Sequence, residues 1–111
     1  MKYKKREGKH NLSKHPLFNI WYGIKERCYN VKKKEYKNYG GAGVIMCDEW
    51  KRDFRPFHDW AIKNGWQKGL ELDKDSVPKK LGIPALLYSP ETCCFLTHSQ
   101  NNRHKRNNRI I

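Results

Sequence analysis

The sequence predicts an α+β domain in which N-terminal helices pack on a C-terminal strand-loop-strand-helix element. Three observations carry this prediction. Leu17, Ile20, Trp21, Ile24 and Cys28 recur at three- and four-residue spacing, which puts them on one stripe of a helix. A second apolar set, Trp50, Phe54, Phe57, Trp60 and Ala61, has the same character and is interrupted by Pro56. Near the C-terminus two short apolar segments, residues 70–73 and 93–97, flank a stretch containing Pro78, Gly82 and Pro84, and a polar segment opening at Ser99 follows them.

Each element has its own start and stop signals. Ser13 is placed to cap the first helix, with Pro16 in its first turn, where a missing amide costs nothing. Residues 30–39 are polar and Lys-rich and read as a loop. Gly40, Gly41 and Gly43 mark a tight turn, and residues 44–47 a short strand. Asp48 caps a second helix, which Pro56 divides into a short turn and a longer piece ending at Asn64-Gly65. Residues 76–87 are expected to be an irregular connection. Ser99 caps a polar terminal helix running through Asn108. Residues 1–12 read as a flexible basic arm, 13–108 as a single domain and 109–111 as a tail.

Charge bounds the function. The chain has 24 Lys and Arg against 11 Asp and Glu, a net of +13 over 111 residues. Residues 48–75 hold 7 acidic and 6 basic side chains, so the remainder holds 4 and 18, a net of +14 outside a nearly neutral middle. Such flanking positive fields attract phosphate backbones and favour DNA as partner, duplex DNA above all. Lys32, Lys33, Lys34, Arg103, Lys105, Arg106 and Arg109 are the candidate backbone contacts. The competing reading of each basic run is a solvated face or tail. No apolar run approaches the roughly 18 residues of a membrane span. The charged start, MKYKKREGKH, lacks the apolar stretch of a secretion signal. A cytoplasmic location is expected, which argues against disulfides among the four cysteines.

The chemistry-bearing segments are LELDKD and YSPETCCFLTHSQNNRHKR. With His15-Pro16-Leu17, Trp21, Arg27-Cys28-Tyr29-Asn30, Tyr39-Gly40-Gly41 and Cys47-Asp48-Glu49-Trp50 before them, the order resembles the small HNH (His-Me finger) endonucleases of phages and mobile elements. The resemblance covers most of the chain, with Ser89-Pro90-Glu91-Thr92-Cys93 and Thr97-His98-Ser99-Gln100-Asn101-Asn102 in the matching places. It implies a ββα element that clamps one divalent metal, Mg2+ or Mn2+, and a strand His that activates water against phosphorus. The sequence departs from that pattern at the strand, which reads Leu70-Glu71-Leu72-Asp73 with no His. Asp73 or Asp75 is then the acidic ligand, with Asn101, Asn102, His104 or Asn107 of the helix as partner and Glu71 as a substitute base. The alternative for Asp73 and Asp75 is local hydrogen bonding in a turn.

Cys28, Cys47, Cys93 or Cys94, and His98 form a second constellation, three thiolates and an imidazole of the kind that holds a structural Zn2+. No CxxC pair is present, and four buried thiols are the competing reading. Three functions follow: an HNH-like metal-dependent endonuclease, a DNA-binding protein with the same fold and a degenerate site, or a phage accessory protein that binds a host protein or ribonucleoprotein.

Overall fold

The computed structural model describes residues 14–102. The basic arm, Ser13, Arg103, His104, Lys105, Arg106, Asn107, Arg109 and the tail lie outside the described residues.

The chain forms an α+β domain. Helix α1 (Pro16–Tyr29) is followed by two 3-10 turns, Lys34–Asn38 and Gly40–Ala42. Then come β1 (Ile45–Met46), α2 (Asp48–Arg52), α3 (Phe54–Lys63), β2 (Glu71–Asp73), α4 (Ser76–Leu81), β3 (Leu87–Tyr88) and β4 (Cys94–Leu96). Residues 98–102 are the described part of a last helix, α5. β1 pairs in parallel with β3, Ile45 opposite Leu87. β2 pairs antiparallel with β4, Glu71 opposite Leu96 and Asp73 opposite Cys94. Among the described residues no helix is long and apolar enough to cross a membrane.

The core follows the apolar stripe. Leu17, Trp21, Ile24 and Cys28 of α1 are buried against Trp50, Phe54, Phe57 and Ala61, with Ile20 and Trp60 packed beside them. The Trp21 indole donates to the Trp50 carbonyl at 2.7 Å, so its polar edge is satisfied inside the core. Trp50 meets Phe57 edge-on at 4.9 Å, and Trp60 lies 5.4 Å from Phe95 of β4, joining the helices to the second strand pair.

Several boundaries differ from expectation for local reasons. The cap of α1 is His15, whose Nδ1 accepts from the Leu17 amide at 3.1 Å. The break between α2 and α3 falls at Asp53, whose carboxylate caps α3 by accepting from Arg55. Pro56 therefore sits in the first turn of α3, where a proline removes no helical hydrogen bond. The connection after β2 is not wholly irregular. Pro78 occupies the first turn of α4 and Gly82 ends it with a left-handed φ of 72°, so both residues punctuate a helix. Cap duty in α5 falls to Thr97: its hydroxyl accepts from the Gln100 amide at 3.1 Å and its amide donates to the Gln100 side chain at 2.9 Å. This is a reciprocal capping box, and Ser99 lies inside the helix.

Gly40 is the glycine that the packing requires. A Cβ there would collide with the carbonyl oxygen of Cys28 and the ring of Tyr36, so the turn after α1 closes only on a bare Cα.

Candidate functional site: the strand-helix junction at Glu71

β2 and β4 bring Glu71 under the start of α5. Glu71 Oε1 accepts from Asn101 Nδ2 at 2.7 Å, and Oε2 lies 2.7 Å from His98 Nδ1. A carboxylate only accepts, so Nδ1 carries the proton in this pair. Nε2 is left as an acceptor, 3.1 Å from the Asn102 amide nitrogen. His98 is 73% exposed and Glu71 39%, so the group faces solvent. Asn101 is buried, and its Oδ1 has no hydrogen-bond partner among the described residues. One residue set thus unites a carboxylate, the imidazole it orients and two amides.

Of the residues singled out for catalysis, Glu71, Asn101 and Asn102 converge, and Asp73 does not join them. Asp73 is buried, and its Oδ2 accepts from the Asp75 amide, the Ser76 amide and the Ser76 hydroxyl, the last at 2.5 Å. It organises the turn into α4. Asp75 takes the ammonium of Lys74 at 2.8 Å. The expected Asp73–Asn pairing is therefore replaced by Glu71–Asn101. An aspartate side chain is short enough to bond its own following backbone, whereas a glutamate reaches past it to the neighbouring helix.

The proposed zinc ligands are not assembled. Among the described residues no group of three His, Cys, Asp or Glu side chains is placed to hold a metal ion. Burial pushes the thiols of Cys28 and Cys47 up and that of Cys93 to about 12, while Cys94 Sγ lies 3.6 Å from the Ser76 hydroxyl. His98 is committed to Glu71. Nor do the described residues assemble a Mg2+ or Mn2+ site here: Glu71 is held by His98 and Asn101, while Asp73 is turned into its own loop, and no third acid joins them.

The Ser89-Pro90-Glu91-Thr92 segment is structural. Ser89 and Thr92 are buried, the Thr92 hydroxyl donates to the Leu87 carbonyl at 2.7 Å, and the Thr92 and Cys93 amides both donate to the Ser89 carbonyl at 3.1 Å. The turn delivers β4 to its partner.

Two features were not anticipated from sequence. A cavity of about 330 Å³ between α1 and β2 is lined by Asn19, Arg27, Glu71 and Tyr88, placing the junction beside the first helix. Arg27, off the apolar stripe of α1, reaches the Tyr88 hydroxyl and lies 5.0 Å from the Tyr39 ring. Its apolar stem and planar head suit it to the gap between α1 and the β1–β3 pair. His98 was considered as a zinc ligand rather than as a partner of Glu71. The signal available was spacing: a residue just after Thr97 of a Thr-x-x-Gln box sits at the start of a helix beside the preceding strand.

Lys32, Lys33 and Lys34 are exposed just beyond α1. Comparison with protein-family models, with curated proteins and with solved structures finds no match.

Proposed function

We propose that the protein is an HNH-like DNA-binding protein whose β2–β4–α5 segment corresponds to the ββα element of that resemblance. The observation that carries the reading is charge: a net of +13, concentrated outside the middle of the chain, with Lys32, Lys33 and Lys34 exposed. The lysines neutralise backbone phosphates, and the polar junction at Glu71 lies on the strand-helix face that such an element offers to DNA. Titration of a labelled duplex tests it. Low-salt binding in the micromolar range or tighter is expected. Absence of duplex binding at low salt would remove the reading and leave the host-partner alternative.

A second reading, slow DNA cleavage, is favoured by the Glu71–His98 pair. A carboxylate that holds Nδ1–H leaves Nε2 as the basic nitrogen, the arrangement used to take a proton from an attacking nucleophile. The Asn102 side-chain amide would first swing off Nε2, which then accepts a proton from water as the oxygen attacks phosphorus, and the departing sugar oxygen takes a proton from solvent. The described residues assemble no cluster of metal ligands, and no step is assigned to a metal. Plasmid nicking, measured with and without Mg2+ or Mn2+, tests this reading. His98→Ala and Glu71→Gln should each lower the rate by about 10²–10⁴-fold while duplex affinity holds. Cleavage untouched by both substitutions would locate the chemistry elsewhere, and no nicking under any condition would leave a binding protein.

A further inference from the structure

A second concavity of the described chain lies away from Glu71. A cleft of about 590 Å³ opens at the C-terminal end of α1, between that helix and Lys51 of α2. Its walls are aromatic and cationic: Trp21, Tyr22 and Tyr29 alternate with Lys25, Lys32 and Lys51. Tyr22 is 45% exposed and Val31, at the rim, 70%. The volume falls within the range of small-ligand sites, about 300–1,000 Å³.

The lysines are crowded in an unusual way. Lys25 Nζ donates to the Lys51 carbonyl at 3.0 Å and stands 5.1 Å from the Trp21 ring, and Lys51 Nζ stands 4.8 Å from the Tyr29 ring. Burial, and then the neighbouring Lys51 charge, push the Lys25 amine down. Neither lysine forms an ion pair among the described residues. The one carboxylate in the wall, Glu26, accepts from the Asn30 amide at 2.8 Å. Three lysines over aromatic rings, outnumbering the single Glu26 carboxylate of the wall, form a seat for an anion attached to a flat ring.

We infer that this cleft takes an unstacked base of single-stranded DNA, its ring against Tyr22 and its phosphate among Lys25, Lys32 and Lys51. A duplex presents base edges and phosphates, and its ring faces are covered by stacking. Only an unpaired base offers a face to a tyrosine, and such stacking is tolerant of sequence. Lys33 and Lys34, exposed beyond the cleft, continue the positive track for the neighbouring phosphates. The inference rests on the DNA-binding reading and adds a strand preference to it.

The test compares a short oligothymidylate with an abasic oligomer of the same length, by fluorescence anisotropy, with a duplex measured in parallel. The wild type should prefer the oligothymidylate by about five- to a hundredfold, the range that stacking of one base provides. Tyr22→Ala should erase that preference and Tyr22→Phe should keep it, with duplex affinity changed by less than about twofold in both. Thermal melting checks that Tyr22→Ala folds, because Tyr22 also stacks on Phe18 at 6.2 Å. Val31→Glu, at the exposed rim, should weaken the single strand by charge repulsion without touching the core. Equal affinity for the two oligomers, or a preference that survives Tyr22→Ala, would overturn the cleft assignment while duplex binding stood. Failure to bind duplex as well would overturn the DNA reading itself.

Discussion

The front and back of this chain are held together by different forces. From α1 to α3 the stability lies in rings and aliphatics: Leu17, Trp21, Ile24, Trp50, Phe54 and Phe57 are each buried to about 1% exposure or less. From β2 onward the strands are two or three residues long, and polar side chains fix the chain path. Asp73 holds Ser76, Ser89 holds Thr92, Thr97 holds Gln100, and Glu71 holds His98 and Asn101. Apolar burial is non-directional and tolerates small shifts, whereas hydrogen bonds fix angles. The front is therefore the anchor, with the proposed DNA contacts on its surface, and the back the part that sets side-chain geometry, which is where a reactive group belongs.

The largest expected effect breaks the front. Trp21→Ala removes a fully buried indole together with its bond to Trp50, and should cost about 3–5 kcal/mol in chemical denaturation. A loss below about 1 kcal/mol would show that the aromatic cluster is not the anchor. Next comes Gly40→Ala, which forces a methyl group into the Cys28 carbonyl and should cost about 1–3 kcal/mol. The back should respond more gently. Ser76→Ala deprives the buried Asp73 of two bonds only in part, since the residue 76 amide remains, and should cost about 1 kcal/mol. Native-state hydrogen exchange sharpens the contrast: amides of α1 should open near the global unfolding energy, and those of β2 and β4 at lower energies. Equal protection in both halves would dissolve the comparison.

The same division explains what the sequence disclosed. Periodicity reports burial, so the stripe from Leu17 to Cys28 and the second helix set were legible. β3 was not, because Leu87-Tyr88 is two residues long and its parallel partner is the distant Ile45-Met46. α4 was obscured by Pro78 and Gly82, each read as a breaker when each marks an end. Glu71, Asn101 and Asn102, named from sequence as catalytic candidates, are brought together by β2 and α5, although the acid leading the group was expected to be Asp73. Two acids two residues apart share a strand face, and only their reach separates a turn organiser from a cross-helix partner.

The smallest effect is a pH dependence at the front boundary. Burial, and then the neighbouring His58, lower the pKa of His15, whose neutral Nδ1 caps α1. A lowered folded value means that the unfolded chain binds the proton more readily. The contribution is complete above the unfolded pKa of about 6.5 and is lost as pH falls from there toward the lowered value. His15→Asn keeps a capping oxygen and removes the titration, so its melting temperature should fall less than that of the wild type between about pH 7 and about pH 5.5. Parallel curves would exclude His15 as the source.

The central claim is that a basic surface, including the exposed lysines beyond α1, binds the DNA backbone. The most direct measurement is duplex affinity against salt for the wild type and for the triple substitution Lys32→Ala, Lys33→Ala, Lys34→Ala. The wild type should lose affinity linearly on a log–log plot, and the variant should show a slope shallower by about one for each phosphate contact removed. A wild-type affinity that stays flat from low to physiological salt, or a variant with an unchanged slope and affinity, would contradict the account.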